Sequence, residues 1–219
     1  MIISSQPLKP PNLRLAILVL AAGEGSRLGG FPKALLEQGG VSLLERFCKV
    51  AQQFSPVEIL VVTGFYSNQI QQEILSFKQD LQVPINWINN SHPELGQSSS
   101  VRLGLESLKN HYDALLIALC DQPNIDAPEL SELLWQFSDR AAGQEIVLPI
   151  FDGQRGNPVV FSKMVIETIL AIPGMVCRPY MDQHPELVKQ FTSNTQAYVL
   201  DVDTEEDIQK LGLDRIKRD

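Results

Sequence analysis

A short stretch near the start of the chain combines glycines with two cations, Arg27 and Lys33. Glycine lets backbone N–H groups approach an anion closely, and the cations supply the positive charge that a polyphosphate attracts. A glycine-rich turn without a ligand would not require both cations. We therefore predict that the stretch binds the phosphate tail of a nucleotide. Its glycines are Gly23, Gly25, Gly29 and Gly30.

This stretch differs from two common phosphate-binding loops. A Walker A loop has Ser or Thr directly after its lysine, whereas Lys33 stands between Pro32 and Ala34. The dinucleotide-binding fingerprint requires a glycine three residues after Gly25, where this chain has Leu28. The sequence therefore indicates a third kind of phosphate loop.

Acidic side chains at the ends of two later predicted strands could hold a hard cation. Asp121 follows residues 114–119 after one intervening cysteine. Asp201 lies near the end of residues 197–202, and Asp203 comes directly after them. Magnesium takes oxygen ligands and commonly uses one or two carboxylates together with substrate phosphates. An aspartate at such a position can also be a turn residue or lie at a helix N-terminus. We predict a magnesium site at Asp121 and Asp203, with Asp201 as the alternative second ligand.

Three consecutive serines at residues 98–100 precede a predicted helix whose N-terminal amides could face a ligand. A serine nucleophile is an alternative, but His92 and His111 have no triad spacing and no GxSxG segment is present. The histidines also form no HxH or HExxH zinc pattern. We predict that these serines cap the helix and contact a base or a phosphate.

Apolar runs alternate with amphipathic segments along the whole chain. Continuous apolar runs predict strands, several of them buried on both faces, and helical spacing predicts helices. Such alternation favours one doubly wound, mostly parallel sheet with helices on both faces, in which ligands bind at the carboxyl ends of the strands. The predicted strands are 15–22, 57–63, 85–88, 114–119, 146–150, 158–161 and 197–202, and the predicted helices are 43–54, 66–75, 98–108, 126–137, 163–171 and one capped by Thr204.

Length, charge and cysteine content restrict the class of protein. A chain of 219 residues suits one domain by the ~150-residue prior, and we assign residues 1–14 to a flexible N-terminal segment and 15–212 to the domain. The net charge of -8 argues against a nucleic-acid partner. The three cysteines, far apart, indicate no disulfide framework and a reducing compartment. With no apolar leader and no run near the ~20 residues of a membrane span, a cytoplasmic protein without a membrane partner is expected.

Five motifs carry a resemblance to a known family over about residues 15–210 of the chain. LAAGEGSRLGGFPK resembles the signature LAAGxGxRxGxxK of nucleotidyltransferases, which activate sugar phosphates and related phosphates with a nucleoside triphosphate. ELGQSSSVRLGL, LCDQP, RGNPVVF and VDTEED are similar to the GxSSS, DQP, RGHPVLF and VDTPED segments of one branch. That branch is the molybdopterin cytidylyltransferase-like branch of the MobA-like NTP transferase family.

The resemblance implies a Rossmann-like nucleotidyltransferase fold and a role for each matching residue. Arg27, Lys33 and Asp121 would be catalytic, and Asp121 with Asp203 would bind Mg²⁺. Gln122, Asn157 and Arg178 would contact the acceptor. The nucleotide-binding residues would be Ala21, Ala22, Gly23, Gly25, Arg27, Lys33, Thr63, Gly96, Ser98, Ser99 and Ser100.

The chain also departs from the branch, and both departures lie among the residues expected to bind the acceptor. The branch has histidine where Asn157 stands, and a GDxGAR segment where this chain has PGMVCRPY, so that only Arg178 matches there. Guanylyltransferase relatives more often read LAGG and lack the glutamine of DQP, so Ala22 and Gln122 favour a pyrimidine or adenine nucleotide.

The implied reaction is attack by an acceptor phosphate on the α-phosphorus of a nucleoside triphosphate, with loss of pyrophosphate. CTP and the molybdopterin cofactor are the favoured substrates, and a molybdoenzyme or its chaperone is the implied protein partner. One alternative is the same chemistry on a sugar or polyol phosphate. Another is a non-catalytic nucleotide- or cofactor-binding protein. The sequence leaves the acceptor, the base and the oligomeric state open.

Overall fold

The computed structural model describes residues 9–10 and 12–215, and in this part of the chain a central sheet of eight strands accompanies a small sheet of three. In chain order the strands are β1 Leu15–Ala21, β2 Leu36–Gln38, β3 Val41–Ser42, β4 Glu58–Thr63, β5 Ile85–Asn89, β6 Ala114–Leu119, β7 Ile146–Phe151, β8 Gln154–Arg155, β9 Val159–Ser162, β10 Val188–Thr192 and β11 Asp214–Arg215.

The central sheet has the strand order β10-β7-β9-β6-β1-β4-β5, with β8 paired to β7. Strands β6, β1, β4 and β5 are parallel neighbours, whereas β9 runs antiparallel to both β6 and β7. The predicted mostly parallel, doubly wound sheet is confirmed. The first strand lies in its middle, so the loop that follows β1 opens at the centre of the carboxyl edge.

Helices cover both faces of the sheet, as predicted. Residues of β1 alternate between two cores: Leu15, Ile17 and Val19 pack on one face, and Ala16 and Leu18 on the other. The first face is covered by α1 Leu43–Ala51, α2 Ser67–Phe77 and α4 Ala127–Ser138. The second face is covered by α3 Gln97–Ser107, α5 Lys163–Ala171 and α6 Cys177–Gln183. The predicted helix capped by Thr204 is α7 Glu205–Lys210.

The strand predicted at residues 197–202 is wrong. The segment is a 3-10 turn, Gln196–Val199, followed by irregular chain. Its apolar side chains do enter the core, but its backbone is bonded elsewhere: the carbonyl oxygen of Tyr198 accepts from the Asn157 N–H and from the Gln122 side chain. The strand in this region is β10. The sequence did not predict it because its composition is polar, and Phe191 is its one buried residue.

Two further features were not predicted from the sequence. Helix α6 lies in a stretch for which the sequence predicted neither a helix nor a strand, and it buries Cys177, Tyr180 and Met181. The small sheet, of order β11-β2-β3, adjoins a third apolar cluster that contains Leu28 of the glycine-rich stretch and Val202. This cluster therefore brings the first and the last chemistry-bearing segments together.

Part of the predicted N-terminal segment, residues 1–8 and 11, lies outside the described residues, as do residues 216–219. The main chain and guanidinium of Arg14 bind the carboxylate of Asp113. The domain limits of 15–212 stay a prediction. No helix in the described part of the chain is long and apolar enough to cross a membrane.

Candidate active site

The glycine-rich stretch, residues 23–33, leaves β1 as a tight loop, which we call the phosphate loop. Gly25 has φ of 63°, and a Cβ atom there would lie 2.1 Å from the carbonyl oxygen of Phe31. The N–H groups of Leu28 and Gly30 both donate to the carbonyl oxygen of Gly25, at 2.8 and 3.1 Å. Only glycine fits this close, left-handed turn.

Tyr66 holds the phosphate loop closed from the side of α2. Its hydroxyl group lies 2.9 Å from the carbonyl oxygen of Glu24 and also contacts that of Gly30. One side chain thus contacts carbonyl oxygens near both ends of the loop. Burial, together with the charge of Glu24, raises the pKa of Tyr66 above its ordinary value, so the hydroxyl stays protonated.

Lys33 lies between two carboxylates that come from distant parts of the chain. Its Nζ is 2.8 Å from Oδ2 of Asp121 and 2.5 Å from Oδ1 of Asp203, while Arg27 Nη1 lies 2.9 Å from the other oxygen of Asp203. Burial acts to lower the pKa of the Lys33 ammonium, but the two carboxylates outweigh it, so that its pKa is raised. The lysine is therefore charged at neutral pH.

The position of Asp203 follows from a single main-chain contact and from a cap. The N–H of Val202 donates to the carbonyl oxygen of Asp121 at 3.0 Å, which places the irregular 201–203 segment beside the end of β6. The carboxylate of Asp207 then accepts from the N–H groups of Asp203 and Thr204, forming the capping box of α7. Asp203 is thereby oriented toward Lys33 although no strand precedes it.

Asp201 lies in a different environment from Asp203. Its Oδ1 is buried and has no hydrogen-bond partner among the described residues. Burial, with the charge of Asp121 second, raises the pKa of Asp201 to about 6. Lys33 contacts Asp203 and not Asp201, so the geometry brings Asp121 and Asp203 together as the pair that we favoured.

A cavity of ≈ 510 Å³, the first cavity, opens above the phosphate loop. Most of the nucleotide-binding residues expected from the sequence line it, together with both favoured carboxylates. These lining residues are Ala21, Ala22, Gly23, Gly25, Arg27, Lys33, Gly96, Ser100, Asp121 and Asp203.

Three other predicted nucleotide-binding residues do not line the first cavity. Thr63 is fully buried, and its hydroxyl bonds to Ser67 and to the Ile88 carbonyl. Ser99 contacts the Gly96 carbonyl oxygen at 2.8 Å through its hydroxyl. Ser98 lines a neighbouring cavity instead. The side-chain amide of buried Asn90, which the sequence did not single out, donates to the hydroxyl groups of Ser99 and Ser100.

The neighbouring cavity of ≈ 400 Å³, the second cavity, contains two of the three predicted acceptor residues. Asn157 and Arg178 line it, and Arg155 joins them while bonded to Asp182 at 2.5 Å. Leu20, Gln97 and Leu119 line both cavities, so the two are contiguous. The deeper lining is largely apolar, with Leu148, Val159, Phe161, Val176 and Met181.

Gln122 is not placed as an acceptor ligand. It is buried, lines neither cavity, and its Nε2 donates to the Tyr198 carbonyl oxygen at 2.9 Å. Its contact holds the irregular segment that leads to Asp203.

Sequence reasoning also missed lining residues of the first cavity, among them Phe65, Pro93 and Gln97. Phe65 is 43% exposed and follows the carboxyl end of β4. The rule that ligands bind at the carboxyl ends of parallel strands could have found it.

Asp121 and Asp203 offer two hard oxygen donors, a set that suits a divalent cation completed by substrate. One oxygen from each approaches Lys33 Nζ, so the two donors lie close together with the ammonium between them. Among the residues described, no group of three or more His, Cys, Asp or Glu side chains could hold a metal ion. Two carboxylates completed by phosphate oxygens and water is the kind of site that Mg²⁺ uses.

The mostly parallel α/β sheet thus places a cationic, glycine-rich loop and two facing carboxylates at its carboxyl edge, where sheets of this class bind their ligands. Residues 17–187 match the family described as the MobA-like NTP transferase domain, and the chain belongs to this family. The family relationship that the motifs predicted is confirmed.

Curated relatives match part of this chain. The chain is 33% identical over 121 residues to the bifunctional protein GlmU of Mycobacterium avium, a match that covers 54% of this chain and 24% of that protein. The chain thus spans about a quarter of the length of the curated relatives it matches.

Two solved structures share the fold. One is a nucleotidyl transferase from Methanothermobacter thermautotroptrophicus, with a TM-score of 0.70 and 20% identity, covering 91% of this chain and 96% of that one. The other is Rv0371C of Mycobacterium tuberculosis in complex with manganese: TM-score 0.66, 19% identity, covering 90% and 97%.

Proposed function

We propose that the protein transfers a nucleoside monophosphate from a nucleoside triphosphate to a phosphate-bearing small molecule, releasing pyrophosphate. The observation that carries this proposal is the position of Lys33, held between Asp121 and Asp203 at the end of the phosphate loop. A triphosphate in the first cavity would meet the loop amides and both cations, and an acceptor in the contiguous second cavity would reach the same phosphates.

The chain's own residues would act by positioning and by charge. The phosphate loop would bind the triphosphate through its amides, and Arg27 and Lys33 would offset the charge that develops as pyrophosphate leaves. The acceptor phosphate is already anionic, so no general base is required. Asp121 and Asp203 would hold Mg²⁺, which supplies further neutralisation of phosphate charge when bound.

We propose CTP and the molybdopterin cofactor as the substrates, and a molybdoenzyme or its chaperone as the recipient of the product. The support is the set of motifs shared with that branch of the family, including the phosphate loop and DQP. Free cysteines at 48, 120 and 177, all buried, suit a reducing compartment, and we propose the cytoplasm.

The main alternative acceptor is a sugar or polyol phosphate. It is favoured by one specific observation: the wall of the second cavity at residues 176–178 belongs to the segment where the chain departs from the molybdopterin branch. A non-catalytic nucleotide-binding protein is disfavoured because Asp121 and Asp203 are both present and both contact Lys33.

A matrix of nucleotides against acceptors tests these proposals. Each of the four nucleoside triphosphates is incubated with Mg²⁺ and with molybdopterin cofactor, a sugar 1-phosphate or a polyol phosphate, and pyrophosphate release and product mass are measured. We expect release with CTP and molybdopterin. Pyrophosphate release only with another compound would identify that compound, and not molybdopterin, as the acceptor. Nucleotide binding without pyrophosphate release from any pair would favour the non-catalytic alternative.

A further inference from the structure

Arg102 of α3 binds the end of α5 through four backbone carbonyl oxygens. Its Nη1 donates to Ile169, Ile172 and Met175, at 3.2, 3.1 and 3.2 Å, and its Nη2 donates to Leu170 at 3.0 Å. Carbonyls in the last turn of a helix have no partner within the helix, and a guanidinium presents several donors in a fixed geometry. One side chain therefore fixes both the end of α5 and the turn after it.

That turn leads directly into one wall of the second cavity. Met175, whose carbonyl Arg102 binds, precedes Val176, Cys177 and Arg178, and all three of these residues line the cavity. The turn also contains Gly174, at φ of 72°. The position of the wall therefore depends on how firmly the turn is held.

The other side of this contact is a helix that cannot shift easily. A Cβ atom at Gly104 of α3 would lie 2.6 Å from Leu18 Cδ1 and 3.0 Å from Val62 Cγ2, so the helix packs directly on β1 and β4. The first turn of the same helix supplies Ser100 to the first cavity and Ser98 to the second. Arg102, one turn later, thus connects a fixed helix shared by both cavities to the acceptor-side wall.

We propose that Arg102 is a positioning residue. It holds the Val176–Arg178 wall at a fixed position relative to the nucleotide site and so determines acceptor binding. What the second cavity binds rests on the proposed function, whereas the control of the wall by Arg102 does not. A helical arginine paired with Glu106 four residues on, at 2.5 Å, would ordinarily be taken for a surface ion pair. Glu106→Gln removes that pair and leaves the carbonyl contacts, which makes it the matched control.

Thiol alkylation measures the wall without any catalytic activity. Cys177 is 7% exposed, and burial raises its pKa to about 12, so it should react slowly in the wild-type protein. We expect Arg102→Met to accelerate alkylation of Cys177 about tenfold through local opening. Mass spectrometry measures the alkylation rate of each thiol. Cys48, in the core on the opposite face of the sheet, and Cys120, on the first cavity, should keep their wild-type rates.

Equal acceleration at Cys48 would mean global loosening, and no acceleration at Cys177 would mean that the wall does not depend on Arg102; either result overturns the proposal. So does Glu106→Gln reproducing the effect of Arg102→Met. If Arg102→Met does not fold, Arg102→Lys serves in its place, because a lysine keeps the charge but cannot reach all four carbonyls, and we expect an intermediate rate at Cys177.

Kinetics test the consequence for the reaction. We expect Arg102→Met to raise the KM for the acceptor about tenfold, since charged hydrogen bonds are lost, while the nucleotide KM changes less than twofold. A purely structural role would raise both, and that result would overturn the proposal. Failure of the wild-type protein to transfer nucleotide to any acceptor would contradict the proposed function instead, and the Cys177 rates would still decide the role of Arg102.

Discussion

The two cavities differ in how their charged groups are partnered within the protein. In the first cavity Lys33 and Arg27 both contact Asp203, and Lys33 also contacts Asp121. In the second cavity Arg178 is exposed and forms no hydrogen bond or ion pair with the residues described, and the deeper walls are apolar. The first cavity is therefore organised before any ligand arrives, whereas the second pairs Arg155 with Asp182 but leaves Arg178 available.

This difference suits two substrates of different kinds. A triphosphate has the same charge and shape whatever the base, so a site for it can be built from fixed backbone amides and paired charges. An acceptor is recognised by what distinguishes it from other phosphates. Its cavity is bounded by strand residues on one side and by a turn and a short helix, α6, on the other. Variants should accordingly separate into nucleotide-side and acceptor-side classes.

The largest effect is expected from Lys33→Ala. Removing the ammonium takes away positive charge beside the phosphates and leaves Asp121 and Asp203 unopposed, so kcat/KM should fall about 10² to 10³-fold. Pyrophosphate release measures the rate, and circular dichroism checks the fold. Lys210→Ala, at an exposed lysine paired with Glu206, is the control and should retain wild-type turnover. A folded Lys33→Ala protein with near-normal turnover would remove Lys33 from the mechanism.

Asp121→Asn should have the next largest effect. The amide lacks the charge of a magnesium ligand, so we expect about a 10²-fold lower rate and a shift of the magnesium dependence to higher concentration. Rates are measured over a Mg²⁺ titration, with Asp139→Asn, at an exposed carboxylate on the far end of α4, as the control. Undiminished wild-type activity in EDTA would refute the metal requirement.

The phosphate loop and the central strands could be predicted from the sequence because their signals are local. Continuous apolar runs indicated strands buried on both faces, and the position of glycines and cations indicated the loop. The sequence also singled out Asp121 and Asp203, and the structure brings both into contact with Lys33. Their role as metal ligands stays a prediction.

Other parts of the site depend on contacts between distant segments, which no local pattern reports. The apolar run at 197–202 favoured a strand, but its hydrogen bonds go to residues 121, 122 and 157, and so it is irregular. Thr63 was expected to bind the nucleotide, yet its hydroxyl is hydrogen-bonded to the hydroxyl of Ser67. Arg102 contacts carbonyls 67 to 73 residues away.

Arg178→Ala tests the acceptor side and should have a smaller effect. An unpaired guanidinium at the second cavity suits bidentate binding of a phosphate, so its loss should weaken acceptor affinity about tenfold and leave nucleotide affinity unchanged. Calorimetric titration of each substrate separates the two, and Arg178→Lys should recover part of the affinity. A loss of nucleotide affinity with unchanged acceptor affinity would mean that Arg178 serves the nucleotide site, which would contradict its assignment to the acceptor.

Tyr66→Phe should give the smallest effect, and it tests whether the phosphate loop serves the nucleotide alone. The substitution keeps the ring and removes only the hydroxyl that contacts the carbonyls of Glu24 and Gly30. Because a neutral hydrogen bond contributes about 0.5–1.5 kcal/mol net, and these are near solvent, we expect the nucleotide KM to rise about threefold. The acceptor KM and the unfolding midpoint should stay within error, because neither the second cavity nor the core contacts this hydroxyl. A rise in the acceptor KM alone would mean that the loop is organised for the acceptor, and the division between the two cavities would then be wrong.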